Sequence, residues 1–137
     1  EYNEEDFDAL IMPGGFGAAK NLCDFAVKGP DCTVDKDVAR AIKDTVAAKK
    51  PLGAICISPA LVANVLEGVE LTIGQDADTI KGLEAMGARH KKTTHGEVVV
   101  DEKYNVFTTP CYMLDANILQ IWEGAENIVK AMMEKLK

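Results

Sequence analysis

Cys56 is the residue in this sequence best placed to do chemistry. It ends the apolar run Leu52-Gly53-Ala54-Ile55 and is followed by Ile57-Ser58-Pro59-Ala60. Ala54 and Ser58 stand two residues before it and two after it. A nucleophile elbow turns sharply from strand into helix, and only small side chains clear the turn at those two positions. Ser58 is a candidate N-cap and Pro59 suits a first helical turn, so a helix is predicted over Pro59 to Leu66. A thiol at a helix N-terminus loses its proton more readily and so becomes a nucleophile. The competing reading is a buried cysteine that merely closes a core strand.

A second loop has a matching character. Pro13-Gly14-Gly15-Phe16-Gly17 interrupts an apolar stretch that ends at Met12. Glycines let backbone N–H groups approach a ligand closely. An amide at Gly14 or Gly15, with that of Ile57, would form an oxyanion hole beside the Cys56 sulfur. The rival reading of Gly15-x-Gly17 is a dinucleotide fingerprint. It lacks the third glycine, and a helix rather than an acid-ended strand follows, so no nucleotide cofactor is expected.

The remaining candidates are weaker. His95 could serve as a general base, but it and His90 read more simply as ordinary histidines without a partner. Two His and four scattered Cys give no metal-ligand spacing. Cys111 follows Thr108-Thr109-Pro110 at a predicted strand end, on the same rim as Cys56. It is either a resolving or lining thiol or a small apolar filler. Cys23 reads as core, and Cys32 as incidental to a polar loop.

The elements that must position these residues follow from patterning. The sequence predicts strands at Phe7 to Met12, Leu52 to Cys56, Val69 to Ile73 and Ala88 to Lys91. Two more, Glu97 to Asp101 and Asn105 to Thr109, are joined by a turn at Asp101 to Tyr104. Helices are predicted over Ala18 to Phe25, Val34 to Lys49 (capped by Thr33 or Asp35), Pro59 to Leu66 and Thr79 to Met86. Two further helices, Met113 to Trp122 and Ala125 to Leu136, are predicted to meet at Gly124. Alternating strands and helices mean an α/β layered fold with a largely parallel sheet. Ligands then gather at the carboxyl ends of the strands, where both loops fall.

Composition bounds the function. At 137 residues and 47% apolar, the chain suits one domain with a proper core. A net charge of −7 argues against nucleic acid or anionic membrane as a partner. No apolar run approaches the length of a membrane span. Four irregular cysteines in a domain of this size suggest a reducing compartment.

Four stretches together resemble the ElbB-like proteins of the class I glutamine amidotransferase-like superfamily, relatives of the PfpI proteases. They are Ala9-Leu-Ile-Met-Pro-Gly-Gly-Phe-Gly-Ala-Ala-Lys-Asn-Leu22, Lys50-Pro-Leu-Gly-Ala-Ile-Cys-Ile-Ser-Pro-Ala60, Leu71-Thr-Ile-Gly74 and Val106-Phe-Thr-Thr-Pro-Cys-Tyr-Met113. The resemblance implies a flavodoxin-like three-layer sandwich with Cys56 at the elbow. It implies a glyoxalase that converts small 2-oxoaldehydes to hydroxy acids without a cofactor. It also implies a cytoplasmic protein in bacteria and a mitochondrial one in animals.

Two departures qualify it. No histidine stands at Ile57 or in Leu71–Gly74, where hydrolases of the superfamily carry one, so amidotransferase or protease chemistry is not expected. Nor is there a counterpart to the family's leading strand-helix-strand portion with its acidic residue. Residues 1–137 are therefore expected to be the C-terminal portion of one longer domain. Its acidic Glu1 to Asp8 would lead into a later strand, and the sheet would lack N-terminal strands. An uncovered sheet edge invites pairing with another chain, and a homodimer is the commonest assembly. The alternative to the enzyme is a redox-sensing or partner-binding protein built on a low-pKa Cys56.

Overall fold

Parallel strand pairing carries the two candidate loops to the same edge of one sheet. The structure, a computed structural model, describes residues 2–137; Glu1, the first residue of the predicted acidic lead-in, lies outside the described residues. Six strands are present among them: β1 (Leu10–Met12), β2 (Leu52–Ile55), β3 (Glu70–Leu71), β4 (Arg89–His90), β5 (Val99–Asp101) and β6 (Val106–Thr109). The helices are α1 (Phe25–Lys28), α2 (Lys36–Ala47), α3 (Pro59–Val65), α4 (Ala77–Ala85) and α5 (Ile118–Lys135).

The main sheet has the order β1-β2-β6-β5. β1, β2 and β6 run parallel, with Met12 opposite Ala54 and Ile55 opposite Thr109. β5 returns antiparallel to β6 through the predicted turn. Among the described residues no strand pairs with the outer edge of β1.

Side-chain alternation builds the layers. Leu52, Ala54, Leu10, Met12 and Val106 join the core cluster formed with Ile42 of α2 and Leu61 of α3. The residues between them, Ile55 and Phe107, meet Ile128 and Met132 of α5 on the other face. Gly53 faces α5 as well, and a β-carbon there would stand 2.7 Å from the Met132 sulfur. That glycine therefore sets how closely α5 approaches β2. Helices on both faces of a mostly parallel sheet make this an α/β, flavodoxin-like three-layer sandwich.

Several local expectations change. The predicted break at Gly124 is absent: α5 runs unbroken through it. Gly124 is buried, and a β-carbon there would stand 3.3 Å from the Cys111 sulfur. It is a packing glycine rather than a helix end. Asn117 starts α5 with a capping box, its side chain accepting from Gln120 N–H. The predicted start at Met113 instead falls in a 3-10 turn, Cys111–Met113. The helix predicted over Ala18 to Phe25 divides into a π-type turn, Ala18–Leu22, and the short α1. α2 is capped by Asp35, whose Oδ1 accepts from the Asp37 and Val38 amides.

β3 does not extend the main sheet but pairs in parallel with β4 in a separate ribbon. Side chains replace the missing ladder. Buried Asp101 accepts the Glu70 N–H at 2.7 Å and the Tyr104 N–H at 2.9 Å. Thr108 Oγ1 accepts from Thr72 N–H. The first strand is shorter than predicted, and a 3-10 turn at Glu4–Asp6 precedes it. Lys50 Nζ ties this lead-in down by donating to the Glu4 and Phe7 carbonyls.

Candidate functional site

Cys56 continues the β2–β6 ladder one residue beyond β2. Its N–H donates to the Thr109 carbonyl at 3.1 Å. Its backbone then enters the left-handed region, with φ +64°. A non-glycine residue pays for that conformation in strain, so it persists only where the surroundings impose it. Ser58 N–H returns to the Ile55 carbonyl at 3.1 Å, and α3 begins at Pro59. Cys56 is half-buried at this strand-to-helix turn.

Ser58 does not cap α3. Its backbone is already helical (φ −58°, ψ −26°), and its side chain makes no capping bond. An N-cap needs an extended backbone to bring its oxygen over the first free amides. Ser58 Oγ is instead buried with no hydrogen-bond partner among the described residues. The small size expected at this position is what the turn uses.

The glycine loop lies against the cysteine. Gly14 and Gly15 both have positive φ, +94° and +90°. A β-carbon on Gly14 would stand 2.5 Å from the Ile55 carbonyl oxygen, 3.0 Å from the Cys56 β-carbon and 3.4 Å from the Ile57 nitrogen. Only glycine fits there. Gly15 has open space around it. Among the described residues no acceptor is found for the N–H groups of Gly15 and Ile57. Both residues line a cavity of about 370 Å³ that Cys56 also lines.

The other walls were not legible in the sequence. They are Phe16, Ala19, Phe25, Ala26 and Met113. Phe16 is 74% exposed at the loop, an unusual position for a large apolar ring. An aromatic residue within a glycine-rich loop was the one available signal. Phe25 and Met113 come from distant segments that only the fold unites.

Cys111 is not among the residues lining this cavity; it follows β6, the strand beside β2. It too has a left-handed backbone, φ +43°, and it is buried against Gly124. Burial pushes its thiol above the ordinary range, and the nearby Cys56 sulfur adds to that shift. Cys23 belongs to the core, and burial raises its thiol as well. Cys32 is not incidental: it is buried 3.9 Å from the Met86 sulfur, and Asn64 donates to its carbonyl at 3.0 Å.

Neither histidine reaches the cavity. His90 Nε2 accepts the Ile73 N–H at 3.0 Å, and burial lowers its pKa. His95 sits in a turn before Gly96. Among the described residues no aspartate, glutamate or histidine lines the cavity. No group of three or more His, Cys, Asp or Glu among them could hold a metal ion. No helix among them is long and apolar enough to cross a membrane.

Known proteins resemble this arrangement. The chain is 44% identical over 136 residues to the ES1 protein homolog, mitochondrial, of Rattus norvegicus, covering 93% of this chain and 51% of that protein. It is 43% identical, over the same shares, to the human glutamine amidotransferase-like class 1 domain-containing protein 3, mitochondrial. It thus spans about half the length of the curated relatives it matches. A crystal structure of an isoprenoid biosynthesis protein with an amidotransferase-like domain from Ehrlichia chaffeensis superposes with a TM-score of 0.89. Identity there is 30%, over 100% of this chain and 63% of that one. No family model matches the chain. The expected cytoplasmic location does not stand, because the rat and human relatives are both mitochondrial proteins by name. The chain is a homologue of the ES1 and glutamine amidotransferase-like class 1 proteins over about half their length, and it shares the fold of an isoprenoid biosynthesis protein with an amidotransferase-like domain.

Proposed function

We propose that this chain is the C-terminal portion of a class I glutamine amidotransferase-like domain that acts as a cofactor-independent glyoxalase, with Cys56 as nucleophile. One observation carries the reading. Cys56 is held in a strained turn that lines a cavity, together with Gly15 and Ile57, whose amides have no acceptor among the described residues. Strained backbone at a functional group is typical of catalytic sites.

The chemistry balances without an oxidant. The Cys56 sulfur gives up its proton and adds to the aldehyde carbon of a 2-oxoaldehyde, forming a hemithioacetal. The Gly15 and Ile57 N–H groups hold the oxyanion that develops. A base takes the proton from that carbon and delivers it to the neighbouring carbonyl carbon through an enediol. The product is a thioester of a 2-hydroxy acid. Water hydrolyses it, releasing the hydroxy acid and restoring the thiol.

No acid or base among the described residues lines the cavity, so the base is assigned to the part of the protein outside this chain. The relatives are about twice as long, which leaves room for it. Their names favour a mitochondrial site of action. The test is glyoxal turnover by the complete gene product and by its Cys56→Ala variant. Equal rates would remove Cys56 from the mechanism.

A second reading, a redox-responsive protein, is favoured by the position of Cys111, two residues after the Thr109 carbonyl that accepts the Cys56 N–H. A peroxide would oxidise the Cys56 thiolate to a sulfenic acid, releasing water. The Cys111 thiol would then displace a second water and leave a disulfide. Mass spectrometry after mild peroxide tests it: Cys56 must react faster than Cys23 and Cys32, and a Cys56–Cys111 cross-link must appear.

A further inference from the structure

We infer that the cavity over Cys56 selects 2-oxoaldehydes whose second carbon carries a bulky, uncharged, apolar group, such as an aryl or branched alkyl substituent. The inference rests on the glyoxalase reading and names its substrate class.

The walls carry the argument. Every side chain that lines the cavity apart from Cys56 itself is apolar: Phe16, Ala19, Phe25, Ala26, Ile57 and Met113. The polar groups that the lining residues bring are the Cys56 thiol and backbone amides, which suit a carbonyl; the N–H groups of Gly15 and Ile57 have no acceptor among the described residues. Among the described residues no lysine, arginine or histidine lines the cavity, so this wall offers a carboxylate or phosphate no counter-charge. Burying such a charge without a partner is costly.

Size points the same way. The cavity, about 370 Å³, would hold about twelve waters at ~30 Å³ each. Glyoxal has only four non-hydrogen atoms and would displace a minority of them. A phenyl or branched alkyl group would fill the remainder against apolar walls. Each methylene so buried is worth about fourfold in binding.

The walls are also fixed. Phe25 is wedged against α4: a β-carbon on Gly82 would stand 3.3 Å from its ring. Met113 is anchored by its N–H to the Pro110 carbonyl at 2.9 Å. Phe16 stands largely in solvent, at 74% exposure, so it can be truncated without loss of core. That makes it the specificity residue to test.

Two measurements separate this inference from the reading beneath it. The first compares kcat/KM for phenylglyoxal and glyoxal with the complete gene product. The inference predicts a preference for phenylglyoxal of at least ~10-fold, and Phe16→Ala should shrink that ratio several-fold. A preference for glyoxal overturns the substrate class while leaving the glyoxalase standing. The second needs no turnover. It compares alkylation of Cys56 by 2-bromoacetophenone and by iodoacetamide, both uncharged, with each rate normalised to glutathione. A normalised aromatic preference of ~10-fold or more supports an apolar-selective cavity even where both aldehydes go unconverted. A ratio no greater than that of glutathione overturns it.

Discussion

Gly14 lies so close against Cys56 that no side chain fits between the two loops. A β-carbon on Gly14 would lie 3.0 Å from the Cys56 β-carbon and 2.5 Å from the Ile55 carbonyl oxygen. Gly14→Ala must therefore move backbone at the end of β2 while adopting a φ near +94°. The expected loss of stability is about 3 kcal/mol. Gly15→Ala shares the positive φ but meets no atom within 4 Å. Its expected loss is about 1 kcal/mol, from backbone strain alone. Urea denaturation of the two variants checks the difference, and equal losses would show that the contact with Cys56 is not tight.

Gly124 makes the opposite trade. Alanine in mid-helix is favoured over glycine by about 1 kcal/mol. At Gly124 that gain meets the Cys111 sulfur, 3.3 Å from the new β-carbon. Gly124→Ala alone should leave stability nearly unchanged. In a Cys111→Ala background the same substitution should stabilise by about 1 kcal/mol. A double-mutant cycle by thermal melting measures the coupling, and strict additivity would refute it.

His90 gives the fold a pH dependence of predictable sign. Its Nε2 accepts the Ile73 N–H, which only the neutral ring can do. Burial depresses its pKa below the ordinary 6.5; nearby Glu84 opposes the shift and Lys92 adds to it. Above pH 6.5 both folded and unfolded states are neutral, and the contact contributes in full. As the pH falls below 6.5 the unfolded chain gains a proton first, so stability is lost toward the lower folded pKa. Melting temperatures at pH 7.5 and pH 5 should differ more for the wild type than for His90→Gln. An equal drop in both would exclude His90 as the source.

The four cysteines should label in a definite order. Cys23, Cys32 and Cys111 are buried, and burial raises the pKa of each. They hold less thiolate near neutral pH and are shielded from reagent. Cys56 is half-buried on an open cavity. Iodoacetamide at neutral pH, followed by peptide mass mapping, should modify Cys56 first. Labelling of Cys32 at the same rate would contradict this ordering.

The sequence made the strand-turn-helix at Cys56 readable because small residues, a proline and an apolar run converge there. The β5–β6 hairpin was readable for a similar reason: two short strands flank the polar turn Asp101 to Tyr104. Gly124 misled because an isolated glycine breaks a helix by propensity, whereas here α5 uses it to approach Cys111. Ser58 misled because capping depends on backbone angle as well as residue type. The separate β3–β4 ribbon was hidden because Asp101 and Thr108 side chains replace ladder bonds. Of the site, the glycines and the cysteine carry local signatures. Phe25 and Met113 carry none, since the fold alone brings them to one cavity.

The central claim is that Cys56 is the nucleophile of a glyoxalase. Its most direct test is steady-state conversion of glyoxal to hydroxy acid by the complete gene product and by Cys56→Ala, with folding of both verified by circular dichroism. The account predicts a loss of at least ~100-fold in kcat/KM with the fold intact. Unchanged turnover in the folded variant would contradict it.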